Sequence, residues 1–566
     1  MELKEEIASL LAKQLKKFPE DIMLLLEKPK FSNLGDVAFP CFDLAREFKR
    51  SPFEIAANIA SALVILPKGV SKVQAIGGYM NFYFDKTALA DSVIKDILKS
   101  KKRYGSSKEG KGKKIIIDYS SPNIAKPMSI GHLRSTIIGH SLYRILSFQG
   151  YKCIGINFLG DYGTQFGKLM CAYEKWGKGF EKEMKEQPIE TMLKLYVRFT
   201  EEAEKNPALD DEARLWFKKL EDKDAKALAL WKKFRELSLR DFKRFYDIFG
   251  IKFDVYSGES YYSEKAKDII TETIVKKLSF ESEKALIISF GKNEAPIILR
   301  KSDGTTTYST RDLAAAIDHH KKYDFYKKLY VVATEQNAYF KHLFEALKRM
   351  DYPWFKDCVH VPFGMIYLPE GKISTRKGNV VFLEDVIGKI FQLTRKFVEK
   401  QETLSNKEKD KIAKAVGISA LVYGDLSNDR TRDVKFDWNN LLRLEGDSGP
   451  YLQYTYARAN GILRKEKKKV LKFHVPSRLA EDEELLISDL SEFPDIVKDS
   501  ATHYSPHIIA NHLLRISDHF NRFYEKCPVL TADDATKHFR IELAKAVSQV
   551  MENGMLLLGM IPLKRM

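Results

Sequence analysis

Residues 115–136 read IIIDYSSPNIAKPMSIGHLRST. Ile115, Ile116 and Ile117 form a short unbroken apolar run, the pattern of a parallel strand buried on both faces. A loop holding Pro122 and Pro127 follows, and a helix is predicted to begin near Gly131. The next apolar run, CIGINFLG at 153–160, reads as a second strand. Strand, loop, helix and strand in this order make a βαβ unit, the start of a doubly wound parallel sheet.

Working outward, residues 171–282 are highly charged and helical in pattern, and are expected as an insertion. Strand candidates resume at ALIISF (285–290), APIILR (295–300) and KLYVVAT (328–334), with helical TRDLAAAIDHHKK between the last two. From about residue 405 nearly everything has helical periodicity, so a helical bundle is expected over 441–566. Before the βαβ unit, residues 1–98 read as a small α+β unit with strands at VSKVQAI and YMNFYFD. Lys- and Gly-rich 99–114 reads as a linker. The expected class is α/β: a Rossmann-type doubly wound sheet over 115–440 with a helical insertion, a small α+β N-terminal domain and an all-α C-terminal bundle.

The chain has 566 residues, of which 44% are hydrophobic, 12% aromatic and 30% charged. Such a composition excludes intrinsic disorder. No apolar run approaches the ~18 residues of a membrane span, and the start is charged and amphipathic without a signal-peptide core. A soluble, cytoplasmic protein with no membrane partner is expected. The five cysteines are odd in number and form no CxxC pair, so neither a disulfide framework nor a structural metal is expected. The net charge is +17. Residues 99–114 hold eight basic groups and one acid, and residues 464–472 hold six and one; the two clusters account for +12. Clustered cations favour a polyanion by counterion release, and nucleic acid is the leading partner; a solvated linker and helix face are the alternative.

Three segments carry chemistry. At Asp118–Thr136 a strand end passes into a helix start, where free N–H groups and the helix dipole suit phosphate. Gly131 lets a nucleotide approach the backbone. His132, Lys126 and Ser129 can donate to phosphate oxygens; in an isolated Gly-His pair His132 would merely cap or pack its helix, but the patterned residues around it at a strand–helix junction favour the phosphate reading. In GKISTRKGN, Gly371–Asn379, the groups Lys372, Ser374 and Arg376 suit a loop that stabilises a leaving pyrophosphate; alone it could be a solvated basic loop. In SDGTTTYSTRDLAAAID, Tyr308 and Asp312 are four apart at a helix start and can face one pocket. A carboxylate beside an aromatic ring suits a cation; the alternatives for Asp312 are a helix cap or a pair with Arg311.

Together these segments resemble one family, arginyl-tRNA synthetase, a class I aminoacyl-tRNA synthetase. SIGH looks like the HIGH signature and KISTR like the KMSKS signature. SSPNIAKPMSIGHLRSTIIG, NFLGDYGTQFGKL, SDGTTTYSTRD, FGMIYLPEGKISTRKGN and SGPYLQYTYARA are similar to stretches characteristic of the family, in order, from about residue 20 to the C-terminus. The resemblance implies ATP-dependent activation of L-arginine to an adenylate, with Mg²⁺ on the phosphates, and transfer to the terminal adenosine of tRNA(Arg). It implies a monomer that needs tRNA bound for activation, an N-terminal domain on the tRNA corner and an anticodon-binding C-terminal domain.

Carried over by position, the arginine pocket would comprise Asp118, Ser121, Asn123, Tyr308, Asp312 and Gln336. Asp118 would take the α-ammonium and Asp312 the guanidinium. Ser129, Gly131, His132, Lys372 and Ser374 would bind ATP, and His132, Lys126, Lys372 and Arg376 would carry the catalytic charge work. Tyr79 and Asn81, with Tyr83 on the same strand face, and Tyr454 and Arg458 in the C-terminal part, would contact tRNA; packing is the alternative for each aromatic. Three departures stand out: Ser129 replaces the first His of HIGH, Thr375 the second Lys of KMSKS, and Ala333 and Thr334 a Gly-Asp pair before Gln336. A catalytically silent tRNA-binding paralogue is the alternative of another class.

Overall fold

A computed structural model describes residues 2–31, 34–367, 382–399, 404–435, 437–466 and 474–566. At the N-terminus, strands β1 (Val37–Pro40), β2 (Val70–Ile76) and β3 (Tyr79–Phe84) form an antiparallel sheet with β3 central. Phe39, Met80 and Phe82 close its core with Ile7 and Leu11 of the first helix.

The basic segment after it is ordered. The helix Lys86–Ser100 is N-capped by Asp85, whose carboxylate accepts Thr87 and Ala88 N–H, and runs into a short turn, Lys101–Arg103. Tyr104 is buried and its hydroxyl donates to Leu490 O at 2.8 Å. Asn553 Nδ2 donates to the carbonyls of Lys101 and Tyr104. The backbone of this segment is thus clamped by C-terminal helices, while Lys101, Lys102 and Arg103 point to solvent.

Strands β4 (Lys114–Asp118), β5 (Lys152–Leu159) and β6 (Val255–Gly258) are the first half of the central sheet. Strands β7 (Phe280–Ser282), β8 (Ala285–Ile288) and β9 (Ile297–Arg300) stand apart from it, and β10 (Lys327–Ala333) and β11 (Cys358–Phe363) complete it. The order is β11-β10-β4-β5-β6, and every pair is parallel. Ile115 and Ile117 join one apolar cluster with Ile138 and Leu142, and Ile116 joins the opposite one with Leu313 and Leu343. That two-sided burial is what makes the isoleucine run continuous. Strand order reverses between β4 and β10, so the crevice at their carboxyl ends is the topological switch point, where doubly wound sheets bind ligands.

Two details differ from the sequence expectation. ALIISF and APIILR do not belong to the parallel sheet: β8 and β9 pair antiparallel with each other and with β7. Their residues alternate between buried and more exposed, as in a sheet covered on one face. Conversely, β6 lies within the stretch expected as an insertion, yet pairs parallel with β5; VYSG is too short and polar to announce itself.

The last third is helical: Asn406–Leu426, Gly449–Lys465, Glu481–Thr502, His507–Lys526 and Asp534–Leu558. The bundle is joined to the helix Ile130–Phe148 of the βαβ unit. Ser141 Oγ and Arg144 Nη1 donate to Leu557 O and Leu556 O at 3.1 and 2.7 Å. Arg134, 1% exposed, pairs with Asp425 at 3.0 Å and donates to the carbonyls of Gly364, Met365 and Arg430. Among the described residues no helix is long and apolar enough to cross a membrane.

Candidate active site

The loop leaving β4 is strained and pinned. Ser120, Ser121 and Ala125 have φ of 73°, 40° and 61°, a left-handed conformation that costs non-glycine residues roughly 1–3 kcal/mol each and clusters at functional sites. Ser120 N–H donates to Ser135 Oγ, and that hydroxyl to Val331 O. Thr136 Oγ1 donates to Ser120 Oγ, which meets Tyr246 OH at 2.9 Å. Ala125 N–H donates to Ser238 Oγ. Tyr246 and Ser238 lie on the helix Ala225–Ile248, so the charged helical region braces the loop. Gly139 permits the helix to close on it, since a Cβ there would lie 2.3 Å from Tyr119.

At the helix start, Ser129 N–H donates to His132 Nδ1 at 3.0 Å, and Ser129 Oγ is equally 3.0 Å from that nitrogen. A nitrogen that accepts a backbone N–H carries no proton, so the ring's hydrogen sits on Nε2. Burial, and then the nearby Lys126 ammonium, push His132 down to about 4. It is therefore a neutral donor. Lys126 Nζ lies 5.8 Å from the Tyr196 ring centroid. Around Gly131 a Cβ would meet only Ser129 Oγ, at 3.6 Å.

Asp118 sits at the switch point, and Asp312 is close enough for the Asp118 charge to act on it. Asp118 ends β4 and accepts Ser121 Oγ–H at 3.0 Å; burial raises it to about 6, opposed by Lys328 and by that bond. Asp312, on the helix Tyr308–Tyr323, is also raised to about 6, chiefly by burial; the Tyr339 hydroxyl opposes the rise and the Asp118 charge adds to it. Arg311 is not its partner: that guanidinium binds Glu259 at 2.6 and 2.9 Å. Tyr308 is 51% exposed, with its ring 5.2 Å from Tyr339. A cavity of about 1010 Å³ is lined by Asn123, Tyr308, Tyr339, Glu259 and Arg311 among others. Gln336 is exposed at the end of the turn Thr334–Gln336, and its neighbour Glu335 lines the same cavity.

The structure thus brings Asn123 and Tyr308 to one cavity wall, with Tyr339 between Tyr308 and Asp312. Lys372, Ser374 and Arg376 lie outside the described residues. In the N-terminal sheet Tyr79 and Tyr83 are half-buried, but Asn81 is 3% exposed, because the turn at Gly35 lies over the central strand. Lys72 Nζ sits 4.3 Å from the Tyr83 ring centroid. In the bundle, Tyr451, Gln453 and Tyr456 turn into the core, whereas Tyr454 and Arg458 are half-buried. The Arg458 guanidinium lies 4.6 Å from the ring centroids of both Tyr454 and Tyr524, and donates to Asn521 Oδ1. Sequence reading missed Tyr524, Tyr339 and Glu259. An aromatic three residues after Gln336, at a helix start, was the only cue to Tyr339.

Comparison with known proteins agrees along the whole chain. The family described as tRNA synthetases class I (R), catalytic domain, matches residues 93–438. The arginyl tRNA synthetase N terminal domain matches 1–84, and the DALR anticodon binding domain matches 452–566. The arginine–tRNA ligase of Halothermothrix orenii is 44% identical over 566 residues, covering 99% of both chains. That of Clostridium perfringens is 42% identical over 571 residues, covering 100% of both. Among solved structures, Thermus thermophilus arginyl-tRNA synthetase has the same fold, with a TM-score of 0.83 at 22% identity over 99% of each chain. The Plasmodium falciparum enzyme gives 0.81 at 24% identity, over 96% of this chain and 94% of that one. With three domain families matched in order and relatives this similar over the full length, the chain belongs to the arginyl-tRNA synthetase family.

Proposed function

We propose that the protein is an arginine–tRNA ligase whose arginine site is built around Asp118 and Asp312. The observation that carries this is the pair of interacting carboxyls, both raised to about 6: Asp118 at the carboxyl end of β4 and Asp312 in the N-terminal half of the helix Tyr308–Tyr323. Buried anions there call for a substrate with two cationic ends. Asp118, with Ser121 and Asn123, takes the α-ammonium; Asp312, with Tyr308 beside it, takes the guanidinium, and Gln336 is assigned to the same pocket. A neutral amino acid would leave Asp312 uncompensated, a penalty large enough to discriminate without an editing site.

In the first step an arginine carboxylate oxygen forms a bond to the α-phosphorus of ATP, and the bond to the leaving pyrophosphate breaks. His132 Nε2–H and Lys126 donate to phosphate oxygens as charge builds, and Lys372, Ser374 and Arg376 are assigned to the pyrophosphate side. In the second, a hydroxyl of the terminal adenosine of tRNA(Arg) attacks the arginyl carbonyl and AMP leaves. Among the described residues no group of three or more His, Cys, Asp or Glu could hold a metal. Mg²⁺ carried on the ATP phosphates would neutralise part of their charge.

Tyr79 and Tyr83, with Asn81 beneath, are assigned to the tRNA corner, and Tyr454 with Arg458 to the anticodon arm, where a half-buried aromatic next to a cation can take an unpaired base on its open side. A monomeric, cytoplasmic enzyme fits this reading. The test is ATP–pyrophosphate exchange with L-arginine, with and without tRNA(Arg). Exchange that needs arginine and is switched on by tRNA is expected. No exchange under either condition, from folded protein, would leave a tRNA-binding paralogue as the answer.

A further inference from the structure

Tyr339 lies in the first turn of the helix Asn337–Arg349 and has no role in the scheme above. Its hydroxyl donates to Asp312 Oδ2 at 2.5 Å. Its ring is 5.2 Å from Tyr308, tilted by 50°, and 5.2 Å from Phe340, near edge-on. It lines the cavity that also exposes Asn123 and Tyr308.

We propose that Tyr339 is a specificity-determining positioning residue: it fixes the Asp312 carboxylate beside the cavity that Tyr339 itself lines and steadies it as an anion without supplying a positive charge. The proposal rests on the reading of Asp312 as the guanidinium's partner. A carboxylate held out of water needs stabilising before its substrate arrives. A lysine or arginine would do so by pairing with it, and would then compete with the guanidinium. A phenol gives one strong hydrogen bond to an ionised acceptor and leaves the charge uncompensated. One oxygen is engaged, and the other, with its lone pairs, is left for the substrate's planar N–H fork.

Two cations, Lys328 and Arg311, lower the Asp312 pKa through space, but the hydrogen bonds they make go to other groups. Arg311, next to it on the helix, is bonded to Glu259. Lys328 of β10 is buried, with Nζ 2.9 Å from His319 Nδ1 and 4.4 Å from the Tyr330 ring centroid. The other groups facing the site are Asp118 of β4, which repels the Asp312 charge, Glu259, and Tyr308, whose ring is tilted against Tyr339. Tyr339 is the one of these whose side chain bonds Asp312 directly. Removing its hydroxyl raises the Asp312 pKa further, so the anion is lost at a higher pH and arginine binding with it.

The test compares the full-length wild type with Tyr339→Phe and Asp312→Asn. Arginine binding is measured by calorimetry across acid to neutral pH, and KM and kcat by pyrophosphate exchange with tRNA(Arg) present. Tyr339→Phe keeps the ring contacts. It should raise the arginine KM about ten-fold, the cost of one hydrogen bond to a charged group, with the ATP KM and tRNA affinity unchanged. The pH at which arginine binding falls off should move upward. Asp312→Asn should bind arginine poorly at every pH, with only the acid limb of Asp118 left, and adding Tyr339→Phe to it should not move that limb. If Asp312→Asn is impaired but Tyr339→Phe shows the wild-type pH profile, the role of Tyr339 is overturned while that of Asp312 stands. If Asp312→Asn binds arginine normally, the underlying reading falls and the proposal with it.

Discussion

His132 Nδ1 accepts the backbone N–H of Ser129 at 3.0 Å, so the residue that replaces the first signature histidine fixes the tautomer of the second. The neutral ring presents Nε2–H where charge develops on the phosphate. His132→Ala should therefore lower kcat far more than it raises the ATP KM. One lost donor of this kind typically costs about 10²–10³-fold in rate. Because the bond comes from the main chain, Ser129→Ala should cost much less, and Ser129→His should hold or raise activity if the longer ring fits. Steady-state kinetics of the three variants decide the matter. Ser129→His that is folded by circular dichroism but inactive would show a pocket reshaped around the smaller side chain.

Arginine affinity should fail in acid before ATP affinity does. Burial raises Asp118 and Asp312 to about 6, so protonation removes the anions as pH falls through that value. The arginine KM should climb there, and His132, already neutral above about 4, should not contribute. A flat arginine KM down to pH ~5, well below the raised pKa and near the ordinary carboxylate range, would contradict the assignment of both carboxyls.

The Lys101, Lys102 and Arg103 side chains are exposed on a turn whose backbone is clamped. Replacing all three with Gln should leave the thermal midpoint unchanged and weaken tRNA binding. If each meets a phosphate, the slope of log K against log salt should fall by roughly 0.7–0.9 per residue. An unchanged slope in filter binding would mark them as merely solvated.

Arg134→Met should destabilise the protein by about 3–5 kcal/mol, because it strands the buried Asp425 carboxylate. Burial raises Asp425 to about 6 against the pull of Arg134, so without its partner the group should become protonated near neutral pH. Adding Asp425→Leu should recover part of the loss. Urea unfolding of the two variants measures both terms, and a double variant no better than the single one would argue against the pair.

The parts of the fold legible in sequence were those whose physics is local. Ile115–Ile117 betrays a strand covered on both sides, and the long amphipathic stretches after 405 betray a bundle. What escaped depends on distant partners. β6 is four residues long and polar at Ser257; it is a strand only because β5 pairs with it. β11 carries His360 and Pro362, which blunt its apolar signal. At the site, Asp312 and His132 stood out by residue type and position. Tyr339 did not, since an aromatic at a helix start is ordinary until the carboxylate it touches is known.

The helix Asp534–Leu558 takes the bonds of Ser141 and Arg144 and, through Asn553, holds the carbonyls of Lys101 and Tyr104. These partners are separated by more than 400 residues of chain, so they are contacts of very high sequence separation, which close late. On the ribosome the helix bearing the nucleotide signature is made early, yet its outer face waits for residues beyond 553. Until they emerge, a half-finished synthetase carries an uncovered apolar flank, the kind of intermediate that aggregates or recruits chaperones.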